Sequence, residues 1–348
     1  MIDRRAALTG LSAAILSSCT GEAATTDAAP LKSFLTAPLG VAAMTAEFAD
    51  PQWQALTATH FDRLTPEWEM KMEYILQSDG SHRFEAPDRL LRQAKLNRQG
   101  IFGHALVWYA QDGAYFQNLR SDKARFEAAY RAYVQAVVGR YTGQVDGWDV
   151  VNEPILDDGS GLRNCLWRDV LGDYYIDIAY HAAHGADPAC PLVLNDYNLE
   201  HTPAKRRQFL KLVDDMQKRG VPLHVLGTQT HISAALEPGA LKATLRDLAA
   251  TGLKIHVSEV DVSLKEAAKN AFDFKSYRAQ QIRQIEELAE AWLSLPVAQQ
   301  YGITIWGLRD KDSWYNRSQK GLLADEPLLF DDTGALKPLG QAFVKALR

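Results

Sequence analysis

The stretch Gly147-Trp148-Asp149-Val150-Val151-Asn152-Glu153-Pro154 decides the fold. It opens as a β-rich run, carries a carboxylate near its end and stops at a proline. Proline cannot donate to a sheet ladder, so the strand finishes close to Glu153. A glutamate at the end of an apolar strand is poorly placed for packing. It is well placed at the rim of a parallel barrel, where catalytic side chains project into a cleft. Further along, Ile255-His256-Val257-Ser258-Glu259-Val260-Asp261-Val262 repeats the pattern. Two carboxylates on two strands point to hydrolysis by a pair of acids.

Working outward, strands and helices alternate along the whole chain. Leu39–Ala43, Phe61–Thr65 and Ile101–Trp108 read as the first three strands, and the opening stretch is the fourth. Leu192–Asn195, His224–Gln229, the Glu259 run and Tyr301–Gly307 complete eight. Amphipathic helices fall between them, among them Pro87–Arg98, a long one capped by Ser121, Trp167–Gly185 and Pro203–Arg219. Eight such alternations without an internal linker predict a single α/β (β/α)8 TIM barrel over residues 34–348.

At 348 residues, 47% hydrophobic and 23% charged, the chain suits one large barrel. A formal charge of -5 gives no reason to expect a nucleic-acid partner. Residues 1–19 read as an export signal: paired arginines at Arg4 and Arg5, a short apolar run, and a lipobox-like Leu16-Ser17-Ser18-Cys19. Cys19 is then the lipidated residue, residues 20–33 a flexible tether, and the protein periplasmic or at the cell surface, held to a membrane only by its lipid. A helix of about 18 residues between Cys165 and Cys190 spans about 27 Å, so two free thiols are expected. No His/Cys cluster has metal-ligand spacing and no cofactor is expected. A monomer is expected.

Strand phase sorts the polar residues. Asp149, Val151 and Glu153 share one phase, as do Gln229 with His231 and Glu259 with Asp261. Polar groups recurring on one face of three strands need a shared hydrogen-bonded site. The other reading of the same pattern is a structural ion-pair network.

These residues resemble glycoside hydrolase family 10, the retaining endo-β-1,4-xylanases, over essentially the whole barrel from Leu39 to Leu347. The resemblance rests on Gly103-His104-Ala105-Leu106-Val107-Trp108, Trp148-to-Pro154, Leu194-Asn195-Asp196-Tyr197-Asn198, Thr228-Gln229-Thr230-His231, Ser258-Glu259-Val260-Asp261 and Ile305-to-Trp314, all in family order. It implies that Glu153 is the acid/base and Glu259 the nucleophile, with carboxyls about 5 to 5.5 Å apart. Desolvation by Trp148 or Trp306 would help the acid keep its proton. The resemblance also implies that His231, oriented by Asp261, keeps Glu259 charged, and that Asn152 bonds the sugar 2-hydroxyl. Asp149 then organises the site from behind. Glu67, Lys71, His104, Trp108 and Gln229 match positions that hold the glycone sugars, and Trp306 and Trp314 match the tryptophans walling that side. Tyr197 matches a position nearer the aglycone.

Two positions depart from the family. Trp68 stands where an asparagine usually bonds the second glycone sugar, and Tyr109 replaces a histidine. An indole removes a directional contact and adds bulk, so a different preference at the distal glycone position is expected. The substrate implied is xylan or xylo-oligosaccharide. The rivals are another retaining β-glycosidase on the same barrel, exo-acting or aryl-specific, and a surface carbohydrate-binding protein without turnover.

Overall fold

The computed structural model describes residues 29–268, 274–317 and 324–348. The expected export signal and Cys19 lie outside the described residues. Leu31–Phe34 forms a 3₁₀ helix with Leu31 buried in the core, so residues 31–33 of the expected tether pack onto the barrel.

Eight parallel strands form the barrel. They are β1 (Leu39–Ala43), β2 (Arg63–Pro66), β3 in two pieces (Gly100–Ile101 and Val107–Trp108) and β4 (Trp148–Asn152). After these come β5 (Leu192–Asp196), β6 in two pieces (Val225–Thr228 and His231–Ser233), β7 (Lys254–Ser263) and β8 (Gln300–Ile305). Neighbours in sequence are neighbours in space, and β8 returns to β1 through Ile305 opposite Val41. Strand β3 closes the ring, since Phe102 N donates to Leu64 O on β2 while Gly103 N donates to Gly147 O beside β4. Alternation of strand and helix makes every connection a crossover, so all strand C-termini lie at one mouth.

Strand β3 is not the continuous run that its sequence suggests. Between its pieces the peptide joining His104 to Ala105 is cis. Gly103 leaves room for an indole there: a Cβ on residue 103 would sit 2.1 Å from Trp148 Cε3.

The helices differ in detail from expectation. The Trp167–Gly185 helix is two helices, Leu166–Leu171 and Tyr175–Ala186, separated at Gly172, whose φ is 75°. Both flanking thiols, Cys165 and Cys190, are nonetheless unpaired. Asp122, not Ser121, caps Lys123–Arg140, accepting from Arg125 N, because its side chain sits one residue closer to the first free amides.

Aliphatic and aromatic side chains between barrel and helices make the main core, with Val41, Leu64, Val151 and Leu194 from the strands. Along the barrel axis the strand N-termini supply a floor. Phe102, Val193 and Val225 cluster with Tyr301, and the guanidinium of buried Arg63 lies 5.2 Å and 5.1 Å from the Phe102 and Tyr301 rings. Arg63 Nη2 is 3.1 Å from His256 Nε2, which keeps this floor polar at its centre and closed. Among the described residues, no helix is long and apolar enough to cross a membrane.

Candidate active site

Strand β4 ends at Asn152, and the next residue, Glu153, turns into the left-handed region with φ 59°. A non-glycine residue there costs about 1–3 kcal/mol and persists only when its surroundings hold it. Glu153 N donates to Asn195 O at 2.8 Å, and Arg163 Nε donates to Glu153 O at 3.2 Å. The simple two-residue phase is therefore broken twice. The pairing of β4 with β5 shifts register between Asp149 and Val151, and the backbone turns at Glu153. As a result, adjacent Asn152 and Glu153 both line one cavity of about 410 Å³ at the C-terminal mouth.

The Glu153 carboxylate accepts three hydrogen bonds. Trp108 Nε1 reaches Oε2 at 2.8 Å, while Gln229 Nε2 and Asn152 Nδ2 reach Oε1 at 2.9 and 3.2 Å. The indole on Glu153 is thus Trp108. Trp148 instead covers Gly103 and leans on Tyr141, outside the cavity lining, while Trp306 lines the same cavity as Glu153 and meets His104 and His231 edge-on. This contact was hidden in the sequence because Trp108 is brought up only by the register of Trp108 opposite Asn152.

Glu259 faces the same cavity from β7. His231 Nε2 lies 3.2 Å from Glu259 Oε2, and His231 Nδ1 lies 2.7 Å from Asp261 Oδ2. Trp314 Nε1 donates to that same Asp261 oxygen at 2.9 Å. Burial alone pushes the Glu259 carboxyl up. The charges of His104, His231 and Lys71 and the His231 hydrogen bond outweigh it, leaving Glu259 below the usual carboxylate range. Burial disfavours a charged His231, yet Asp261 and Glu259 hold it well above the ordinary imidazole value. A carboxylate that stays ionised beside an imidazolium is suited to attack.

Asn195 was quoted in the family motif without a role, yet it joins the two carboxylates. Its Nδ2 donates to Asn152 Oδ1 at 2.9 Å and to Glu259 Oε1 at 2.8 Å, and its Oδ1 accepts from Ser258 Oγ at 2.7 Å. Gly227, paired opposite it, makes room: a Cβ there would lie 2.3 Å from Asn195 Oδ1. A polar residue mid-strand facing a glycine on the next strand was the available signal.

Of the residues that the family resemblance assigns to the glycone, Glu67, Lys71, His104, Trp306 and Trp314 all line the cavity. Asp149 and Asp261 stand behind it. Asp149 Oδ2 accepts from His104 Nδ1 at 2.7 Å, and burial pushes the Asp149 carboxyl up to about 6 against that histidine. Lys71 Nζ sits 4.7 Å from the Trp108 ring and 6.0 Å from the Trp68 ring. Trp68 is the expected sugar contact that is not in the wall. It stands at the rim, 42% exposed. The Glu67 carboxylate is engaged by Arg317, a residue the sequence did not single out. Tyr109, Tyr197 and Asn198 complete the wall, with the Arg163 guanidinium 4.3 Å and 5.8 Å from the Tyr109 and Tyr197 rings.

A larger groove of about 590 Å³ on the flank, between Leu236 and Glu287, contains none of these residues. Among the described residues, no three His, Cys, Asp or Glu side chains converge as a metal cluster.

The sequence profile of glycosyl hydrolase family 10 matches residues 29–346. The chain belongs to glycosyl hydrolase family 10. Its family 10 relatives include endo-1,4-beta-xylanase A of Caldicellulosiruptor sp. (strain Rt8B.4), 33% identical over 313 residues, 84% of this chain and 44% of that enzyme. Endo-1,4-beta-xylanase of Geobacillus stearothermophilus is 31% identical over 296 residues, 82% of this chain and 88% of the relative. The chain thus spans less than half the length of the Caldicellulosiruptor enzyme. A GH10 endoxylanase retrieved from a sugarcane soil metagenome superposes with TM-score 0.83 at 28% identity, covering 92% of this chain and all of that one. Xylanase10C of Cellvibrio japonicus, solved as a mutant with xylopentaose, gives TM-score 0.86 at 28% identity over 92% of this chain and 69% of its own. These family 10 structures share the barrel described above.

Proposed function

We propose that the chain is a retaining endo-1,4-β-xylanase acting on xylan and xylo-oligosaccharides. The observation that carries the reading is that Glu153 and Glu259 face one cavity in unlike settings. Three neutral donors hold Glu153, while an imidazolium and an amide hold Glu259. Glu259 attacks the anomeric carbon as protonated Glu153 gives its proton to the leaving oxygen, so the glycosidic bond breaks as the glycosyl ester forms. Glu153, now a carboxylate, takes a proton from water. The water oxygen then displaces Glu259 and the β anomer leaves. Asn152 on the sugar 2-hydroxyl strengthens its bond as positive charge develops at the ring. The names of its endo-1,4-beta-xylanase relatives support xylan as substrate.

Activity of Glu153→Ala on an activated aryl xylobioside tests the roles. Azide restores turnover and yields β-xylobiosyl azide, whereas any azide product of Glu259→Ala is the α anomer. An α azide from Glu153→Ala, or a β azide from Glu259→Ala, overturns the assignment.

A shorter glycone requirement is a second reading, favoured by Arg317 on Glu67 and by Trp68 at the rim. It is related to the exo-acting rival, and one relative, 32% identical, is named exoglucanase XynX of Acetivibrio thermocellus. Mixed oligomers from long xylan support endo cleavage; a single small sugar supports the rival. The reading includes export and lipid attachment at Cys19. Cys19→Ser then releases the protein from membranes, and unchanged fractionation counts against the anchor.

A further inference from the structure

Lys205 has no part in the chemistry above, yet it is a fully buried lysine close to the site. It lies in the helix Pro203–Lys218. Its Nζ is 2.8 Å from Asp196 Oδ1, and both side chains are 0% exposed. Burying such a pair costs several kcal/mol per ion before their attraction repays it, so its contribution to net stability is small. What the pair does locally is specific. Asp196 Oδ2 accepts from Ile155 N at 3.0 Å, two residues beyond Glu153, and Asp196 Oδ1 accepts from Tyr197 N at 2.9 Å.

The same ammonium lies 3.4 Å from the centroid of the Tyr197 ring, a cation–π contact in the dry interior. Tyr197 is fixed at its other end: its hydroxyl donates to Asp157 and receives Arg163 Nη2 at 3.0 Å. Arg163 in turn donates to the carbonyls of Glu153 and Ile155 at 3.2 and 2.9 Å. The turn that carries Glu153 is thus gripped from both sides. One grip is Arg163 on its carbonyls; the other is Asp196 on an amide, and among the described residues Lys205 is the one cation paired with Asp196, while its ammonium also lies 3.5 Å from Asp157 Oδ1.

We propose that Lys205 is a positioning residue for proton donation: through Asp196 it fixes the turn bearing Glu153, and through its ring contact it fixes the Tyr197 wall beside the leaving group. The inference rests on the reading of Glu153 as acid/base. Lys205 touches no reacting atom, so its loss leaves the attack by Glu259 intact and weakens protonation of the departing oxygen.

Leaving-group dependence separates this role from a general loss of fold. Lys205→Met, Asp196→Asn and the double variant are compared with the wild-type chain on phenyl and dinitrophenyl β-xylobiosides. Melting curves check that each variant is folded. The wild-type chain must hydrolyse both glycosides; if it hydrolyses neither, the xylanase reading itself fails and the proposal falls with it. Lys205→Met is expected to lose about tenfold or more on the phenyl glycoside, part of the ~10²–10⁴-fold that a placed proton donor supplies. Its kcat/KM, which reports formation of the glycosyl ester and not the later step in which Glu153 deprotonates water, falls less than about twofold on the dinitrophenyl glycoside, whose leaving group needs no proton. The Asp196→Asn loss overlaps the Lys205→Met loss, so the double variant falls short of their product. Equal losses on both glycosides, or no loss on either, overturn the proposal. Failure of both Lys205 variants to fold assigns the lysine to folding and overturns it as well.

Discussion

Asn195 Nδ2 lies 2.8 Å from Glu259 Oε1 while the same nitrogen reaches Asn152 Oδ1 at 2.9 Å. Asn152 Nδ2 is itself 3.2 Å from Glu153 Oε1, so a continuous run of amides joins one carboxylate to the other. Neither carboxylate can shift without disturbing the amide between them. A hydrogen bond to a charged group contributes about 1.5–3 kcal/mol, and a buried polar partner left alone costs a comparable amount. Asn195→Ala therefore lowers kcat/KM on an aryl xylobioside by about 10- to 150-fold. Steady-state kinetics alongside a melting curve measures it, and a loss under about threefold removes Asn195 from the coupling.

His231 sets the acid limb of activity. Glu259 is held below the usual carboxylate range against the upward push of burial, in part by His231. A carboxylate with a lowered pKa stays ionised further into acid. His231→Phe removes both the hydrogen bond and the charge, so the Glu259 pKa rises and the acid limb of kcat/KM moves to higher pH. A pH profile of the two proteins on one substrate shows it; superimposable acid limbs contradict it.

Glu47 makes stability depend on pH. It is half-buried beside Asp312, Glu67 and Arg317, and desolvation is the main cause pushing it from 4.5 up to about 8, against the Met44 backbone N–H and Arg317. With the folded value above the unfolded one, the native state keeps a proton that the unfolded chain has released. The stabilisation is complete below pH 4.5 and is lost as pH rises toward about 8. One proton corresponds to a slope of at most about 1.4 kcal/mol per pH unit. Between pH 5 and 8 the wild-type chain loses more unfolding free energy than Glu47→Gln does. Urea titrations across that range decide it, and parallel slopes rule the linkage out.

Trp68 is expected to set glycone preference. It stands at the cavity rim at 42% exposure, with the Lys71 ammonium 6.0 Å from its ring. Trp68→Asn returns a directional side chain and raises kcat/KM on plain xylohexaose about two- to tenfold, the worth of one ordinary hydrogen bond. An unchanged value on xylohexaose would show that the indole does not set the preference.

Periodicity and turn residues made the barrel legible, because eight apolar runs alternate with amphipathic helices and polar side chains recur on one face of three strands. Glu153, Glu259, Gln229 and His231 could be placed at one mouth for the same reason. Strand phase could not show where the backbone leaves the pleat. The left-handed turns at Glu153 and Thr230 and the register shift after Asp149 decide which neighbours face the cavity. Contacts made across strands stayed hidden too: Trp108 on Glu153, Arg317 on Glu67, and the Lys205–Asp196 pair. Each joins residues far apart in the chain, and its distance follows from register and burial rather than from local pattern.

The floor formed by Arg63, Phe102, Tyr301 and His256 shuts the barrel axis beneath the cleft. A polysaccharide cannot thread this molecule; it must lie across the open mouth and lift off the way it arrived. Nothing then obliges the protein to travel along one strand between cuts. On the endo reading proposed above, successive scissions would fall on unrelated chains, and the viscosity of a long polymer would drop well before small sugars accumulate.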